Sequence, residues 1–346
     1  MEKSFKQKVL DAANSLLSTA NLIIMKQSDL DRLEKAGLFS KPSFSRTPLP
    51  EKAQSYLRAD NPRLKELQQR YSSSPHPVTV TTKWNDSLVS TIDLQYFRGD
   101  NPFIWQFRDG NSEMTNLLTA YYVKTIDKLG LLNSLEEDDL FGCYVFDFNG
   151  ERLISRDLLD SIIEINFLDQ ALDISNTENL NILDIGAGYG RLAYRMSKAL
   201  PKLGRIFCAD GIAESTFLSE FYLEFRGVND KATVVPLDEI EDTLKNNNVD
   251  IATNIHSFSE CSSSAIKWWI DLIKAHQVKH LLVVPCVFDN EGTRLISHKQ
   301  DGSSFDFLPI IESAGYRLKT KAPKFSDTSL QKVGVSPTHY HLFELS

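Results

Sequence analysis

The spacing of apolar residues divides the chain into two textures that meet near residue 150. Beyond that point, short apolar runs alternate with stretches whose apolar positions recur at a helical period. The runs predict strands over 180–185, 205–210, 232–236, 250–255 and 280–287. The periodic stretches predict helices over 157–172, 190–200, 215–226, 240–246, 263–276 and 305–314. Ser155 stands where an N-cap would accept the first N–H groups of the 157–172 helix. Two last strands, 316–322 and 340–345, have no predicted helix between them, so they form a hairpin whose final strand runs antiparallel. Residues 151–346 therefore read as a doubly wound, Rossmann-like α/β sheet with an antiparallel last strand.

Residues 1–150 lack this alternation and read as a mainly helical N-terminal extension. Phe5, Val9, Ala13, Leu16, Leu17, Ala20, Ile23 and Ile24 keep a helical period, as in an amphipathic helix that packs on the body or on a second copy of the chain. A Pro- and Ser-rich connection over 40–49 leads to a short helix over 62–71. A loop over 72–77 and a short strand over 78–83 follow. Next come an aromatic run over 96–108, a helix over 114–128 ending at Gly130, and an acidic turn over 136–139 expected to be solvated. This half is expected to cover the site and shape the substrate region.

Charge and composition narrow the function. The 346 residues carry 46 acidic and 38 basic side chains, a net charge of −8, and no long basic run. That gives no electrostatic footprint for nucleic acid or an anionic membrane. The uncharged stretch 12–25 is interrupted by Asn14, Ser15, Ser18, Thr19 and Asn21. It has neither the apolar block of a signal peptide nor the length of a membrane span, so a cytoplasmic protein is expected. The four cysteines form no C-x-x-C pair, and no clustered His or carboxylate pattern calls for a metal.

The candidate chemistry begins at the end of the first sheet strand. Asp184-Ile185-Gly186-Ala187-Gly188-Tyr189-Gly190 places glycines where a backbone must approach a ligand closely and where the next helix must pack on the sheet. The spacing is G-x-G-x-G, not the G-x-G-x-x-G of dinucleotide sites, and no Lys-Ser/Thr follows. An acid before the first glycine suits a cationic ligand better than a phosphate, and S-adenosylmethionine (SAM) carries a sulfonium and an ammonium. A tight turn with no ligand is the bland alternative, and a NAD site the competitor at the level of fold. Asp210, followed by Gly211, ends the second strand, where an acid can accept both ribose hydroxyls of an adenosine. Asp238 follows the third strand and is a candidate for the adenine amino group.

The fourth strand ends in Asn254-Ile255-His256-Ser257-Phe258-Ser259-Glu260. Neighbouring the glycine loop, this end should face a transferred methyl group. His256 is the candidate general base for a hydroxyl acceptor. Glu260 is the candidate to orient it or to bind substrate, and Asn254 joins the cofactor set. On the 157–172 helix, Asp157, Asp160, Ser161 and Glu164 share a face that is either solvated or, with Arg156, lines the cofactor cleft.

Taken together, Ser155-Arg156-Asp157-Leu158-Leu159-Asp160-Ser161, the glycine loop through Arg191, and Asn254 to Glu260 resemble a family of bacterial sugar O-methyltransferases. The aromatic run and the helix around Tyr121-Tyr122 are similar as well. The resemblance implies a SAM-binding α/β domain, with S-adenosylhomocysteine as product and a helical extension over the site. The implied acceptor is a sugar hydroxyl, nucleotide-activated or glycan-bound. Trp105 and Tyr121 are then candidates to stack on sugar faces, and Arg108 to hold a phosphate or carboxylate. Two positions depart from the family pattern. Cys261 stands where members often carry Met, and Gly211-Ile212-Ala213-Glu214 where a Pro-Glu pair often follows the strand-end acid. Methylation of another small molecule or a carrier-bound natural product, and SAM binding without catalysis, are the alternatives.

Overall fold

The computed structural model describes residues 47–79, 84–99, 112–286, 292–299 and 302–346. The helix expected over 5–24, residues 80–83 of the expected strand, Trp105 and Arg108 lie outside them.

The extension contributes α1 (Glu51–Tyr56), α2 (Pro62–Ser72), a short 3-10 turn at Pro77–Thr79, α3 (Asp86–Val89), α4 (Glu113–Ile126) and α5 (Leu131–Ser134). The turn at Pro77–Thr79 stands where the strand was expected to start. A hairpin, β1 (Phe146–Phe148) and β2 (Arg152–Ile154), closes this half. Its turn uses Asn149 and Gly150 at φ 64° and 68°, a left-handed pair that Asn-Gly adopts readily.

α6 (Arg156–Leu172) leads into the sheet. Ser155 caps it by accepting the Leu158 N–H at 3.0 Å. The chain then runs through β3 (Leu180–Ile185), α7 (Arg191–Ala199), β4 (Leu203–Ala209), α8 (Ala213–Phe225), β5 (Ala232–Val234) and α9 (Ile240–Asn246). It continues through β6 (Ile251–Ile255), α10 (Ser263–Ala275) and β7 (His280–Val284). A small hairpin, β8 (Ile296–His298) and β9 (Ser304–Asp306), precedes α11 (Leu308–Ser313). β10 (Tyr316–Pro323), α12 (Leu330–Val333) and β11 (His339–Leu345) end the chain.

The seven sheet strands lie in the order β10, β11, β7, β6, β3, β4, β5. All neighbours pair in parallel except β11, which lies between β7 and β10 and is antiparallel to both. This is the doubly wound α/β sheet expected, with its antiparallel last strand. Ile182, Leu183, Ile206, Ala252, Leu281, Leu282 and Val283 are all fully buried. That is why the strands read as continuous apolar runs rather than alternating ones. Each of the Ile, Leu and Val side chains among them contributes about 1.5–3 kcal/mol by leaving water.

From β3 the chain winds outward through β4 to β5, then returns to place β6 on the other side of β3. Right-handed crossovers put the helices of the two halves on opposite faces of the sheet. The reversal opens a crevice between the carboxyl ends of β3 and β6, the place where such sheets bind ligands.

Within the acidic turn 136–139, Glu136 is exposed as expected, but Glu137 is not. Glu137 is buried between Arg98, 2.7 Å away, and Arg195, 2.8 Å away. Asp138 pairs with Arg98 and Arg226. Glu137 and Asp138 form an ionic joint between the extension and helices α7 and α8, buried at Glu137 and part-exposed at Asp138. Against the cost of burial, Arg195 and Arg98 pull the Glu137 carboxyl down to about 2.

Candidate active site

The glycine loop leaves β3 at the mouth of the crevice. Gly186, Gly188 and Gly190 all have positive φ, at 73°, 59° and 87°. At Gly186 the requirement is also steric, because a Cβ there would fall 2.2 Å from Ser257 Oγ. The loop is tied to the next strand by Gly186 and Ala187 N–H groups, both donating to the Ala209 carbonyl, at 2.8 and 3.2 Å. Tyr189 is buried and donates its hydroxyl to Asp157 of α6. Phe97 of the extension packs against that ring, with centroids 5.2 Å apart.

Asp210 sits directly across from the loop. Its carboxylate accepts Gly188 N–H at 3.0 Å and Ile212 N–H at 2.9 Å, leaving each oxygen with further acceptor capacity. Burial pushes its pKa up to about 7, against the two backbone donors. Asp184, beneath the loop, accepts the Thr253 hydroxyl at 2.7 Å, and burial pushes it up to about 6. Gly211 is closed over by the extension, since a Cβ there would meet the Val78 carbonyl at 2.7 Å. Asp238 is placed differently from these. It pairs through both oxygens with Arg70 of α2, at 2.7 and 3.0 Å, on a half-exposed surface.

On the β6 side, Asn254 is fully buried and fixes the turn that follows. Its amide donates to the Ile185 carbonyl at 3.0 Å, and its oxygen accepts Phe258 N–H at 3.0 Å. His256 takes a left-handed backbone at φ 70°, and its N–H donates to the Val284 carbonyl at 2.7 Å. A bulky residue held there is a strained conformation of the kind concentrated at functional sites. Burial, then Arg156, push the His256 pKa down to about 3, so the imidazole is neutral throughout the physiological range. Asp160 faces it with the opposite effect. Glu260 accepts the indole N–H of Trp84 at 2.6 Å, joining this turn to the extension.

The charged face of α6 is buried, not solvated. Arg156, Asp157, Asp160, Ser161 and Glu164 are each at most 9 % exposed. Arg191, the first residue of α7, donates to both oxygens of Glu164, at 2.9 and 3.1 Å, and to Ser161 at 2.8 Å. Lys324 donates to Asp160. Against the cost of burial, Lys324 and Arg156 hold the Asp160 carboxyl below its usual range. This face therefore stands opposite His256 and next to the glycine loop. Sequence reasoning raised Arg156 and Glu164 but missed Lys324, whose partner lies 164 residues away.

Tyr121, the candidate to stack on a sugar face, is 1 % exposed, with its ring edge-on against Phe148 and its hydroxyl donating to Asn149 at 2.8 Å. Among the described residues, no group of three or more His, Cys, Asp or Glu is placed to hold a metal, and no helix is long and apolar enough to cross a membrane.

No protein-family profile matches this chain, and no curated protein matches it in sequence. Solved structures resemble it in chain path. One is a SAM-dependent methyltransferase from Aquifex aeolicus, 17% identical, covering 51% of this chain and 89% of its own, with a TM-score of 0.39. Another is magnesium protoporphyrin IX methyltransferase from Synechocystis with bound SAM, 12% identical, covering 55% and 83%, with a TM-score of 0.38. A third is an S-adenosylmethionine-dependent methyltransferase from Clostridium acetobutylicum, 13% identical, covering 54% and 90%, with a TM-score of 0.38. At such scores these likenesses decide nothing about chemistry, which rests on the strand order and the site residues.

Proposed function

We propose that this chain is a SAM-dependent O-methyltransferase acting on a sugar hydroxyl. The observation that carries the reading is the left-handed glycine loop at the β3–β6 crevice, with buried Asp210 held across it by Gly188 N–H. Two carboxyls raised by burial suit a cationic ligand, whose charge would favour their ionised forms. The short G-x-G-x-G spacing, in place of G-x-G-x-x-G, disfavours a pyrophosphate cradle and with it NAD.

When bound, SAM supplies a methyl group activated by its sulfonium and leaves as S-adenosylhomocysteine. Asp210 keeps acceptor capacity for the ribose hydroxyls. The glycine loop lets the backbone approach the methionine portion, with Arg156 and Glu164 on the wall formed by α6. His256 accepts the proton of the acceptor hydroxyl as its oxygen forms the new bond to the methyl carbon. Burial and Arg156 hold the imidazole neutral but weakly basic in the ligand-free site, so the step requires acceptor binding to raise its basicity toward neutrality, the direction in which Asp160 already acts. The sugar acceptor rests on the resemblance of the Ser155–Ser161 and Asn254–Glu260 segments, and on the hydrogen-bonding character of the α6 face.

Calorimetry with SAM and with NAD tests the donor. SAM should bind and NAD should not, and the reverse result would overturn the reading. For the chemistry, His256→Ala should lower turnover about 10²–10⁴-fold while SAM affinity holds. Turnover that survives the substitution removes His256 as base. An acceptor screen in which only polyketides or peptides are methylated would remove the sugar.

A further inference from the structure

Buried hydroxyls almost always find a hydrogen-bond partner, so each one that does not calls for a physical explanation. Among the described residues, Tyr340 Oη and Ser336 Oγ are two of four buried hydroxyls with no such partner, the others being Ser197 and Ser219 in helices α7 and α8. Tyr340 is 2 % exposed and Ser336 is 7 % exposed. Both lie where the chain re-enters the sheet at the start of β11, beside the carboxyl end of β7.

Lys324 pins this corner to α6. Its ammonium donates to the Val335 carbonyl at 2.8 Å, to the Ser336 carbonyl at 3.1 Å, and to Asp160. Asp160 is the carboxylate that faces His256. The Tyr340 ring lies against Phe167, with centroids 4.5 Å apart, one turn along α6 from Glu164. Glu164 and Asp160 are the charges that weigh most on its hydroxyl. The two hydroxyls and Asp160 thus share the corner between α6 and β11, on the His256 side of the crevice and away from Asp210.

We infer that Tyr340 and Ser336, with Asp160, form a subsite for the hydroxyls of a polyhydroxylated acceptor that neighbour the methylated one. The inference rests on the methyl-transfer reading and specifies its acceptor side. Hydroxyls donate and accept at once, so they match a ligand that presents both roles on adjacent atoms. An anionic group would meet Asp160 and Glu164, while the three Lys324 donors are already committed. A neutral glycoside fits this chemistry.

The test uses the full chain with Tyr340→Phe and Ser336→Ala, and methyl glucoside, galactoside and mannoside as probes. An unsatisfied buried hydroxyl costs stability, so its removal should leave the melting temperature unchanged or raise it. With S-adenosylhomocysteine present, at least one glycoside should protect the wild type against melting. Its affinity should fall about tenfold in each variant while SAM affinity by calorimetry does not move. A lower melting temperature in Tyr340→Phe would show a structural partner and overturn the subsite. So would protection retained in both variants, or no protection of the wild type by any of the three. Failure of the wild type to bind SAM would instead sink the donor reading.

Discussion

Asp210 concentrates the site's dependence on pH. Burial pushes its carboxyl up to about 7, and in the proposed SAM site the ionised form would accept from both ribose hydroxyls while keeping its two backbone bonds. A bound cation favours that form, so SAM binding should release protons near neutrality. SAM affinity should therefore rise as pH increases from about 6 to 8. Calorimetry in buffers of different ionisation heats reads the proton count directly, and an affinity flat across that range would remove Asp210 from the site. Gly186 gives a steric counterpart. Ala there must hold φ near 73° and clear Ser257 Oγ, so Gly186→Ala should lose about 1–3 kcal/mol of stability along with SAM binding. Thermal melting with and without ligand checks both. Both residues were legible in the sequence, because a glycine loop and a strand-end acid depend on local backbone geometry. Asp238 was equally conspicuous, yet its partner Arg70 lies 168 residues away, and no local pattern announces that pair.

At the scale of elements, the same division holds. The parallel strands were readable because burial on both faces leaves a continuous apolar run. The Asn149-Gly150 hairpin carried a readable signal too, since that dipeptide favours paired left-handed residues, but its strands are only three residues each. What could not be read is the fate of charge. The α6 face and the 136–139 turn look like solvated surface until Arg98, Arg191, Arg195, Arg226 and Lys324 arrive from elsewhere in the chain. Removing one partner of such a buried set leaves the others uncompensated. Glu137→Gln should therefore cost about 3–5 kcal/mol, seen as a lower denaturant midpoint. A cost below 1 kcal/mol would show that Arg98 and Arg195 are satisfied without it.

For the whole molecule, the extension is strapped along the carboxyl edge of the sheet. Arg63 pairs with Glu220, Arg70 with Asp238, the Val78 carbonyl rests on Gly211, and Trp84 bonds Glu260. Gly211→Val should lift this strap, because its side chain would occupy the place of the Val78 carbonyl. Faster proteolytic cleavage within 72–84, with the sheet core still protected from hydrogen exchange, is the expected result. Unchanged cleavage would mean that the contact at Gly211 does not hold the strap down.

The position of β11 has a consequence for how the protein is made. It follows β10 and α12 along the chain, yet it pairs between β7 and β10, not outside them. Until it emerges, Leu281–Val283 of β7 present open backbone groups on an apolar strand, a ready template for pairing with another nascent chain. Translation that stops short of residue 339 would release a chain with that edge uncovered. Residues 339–345 thus have to reach the sheet before a chance encounter covers β7 in their place.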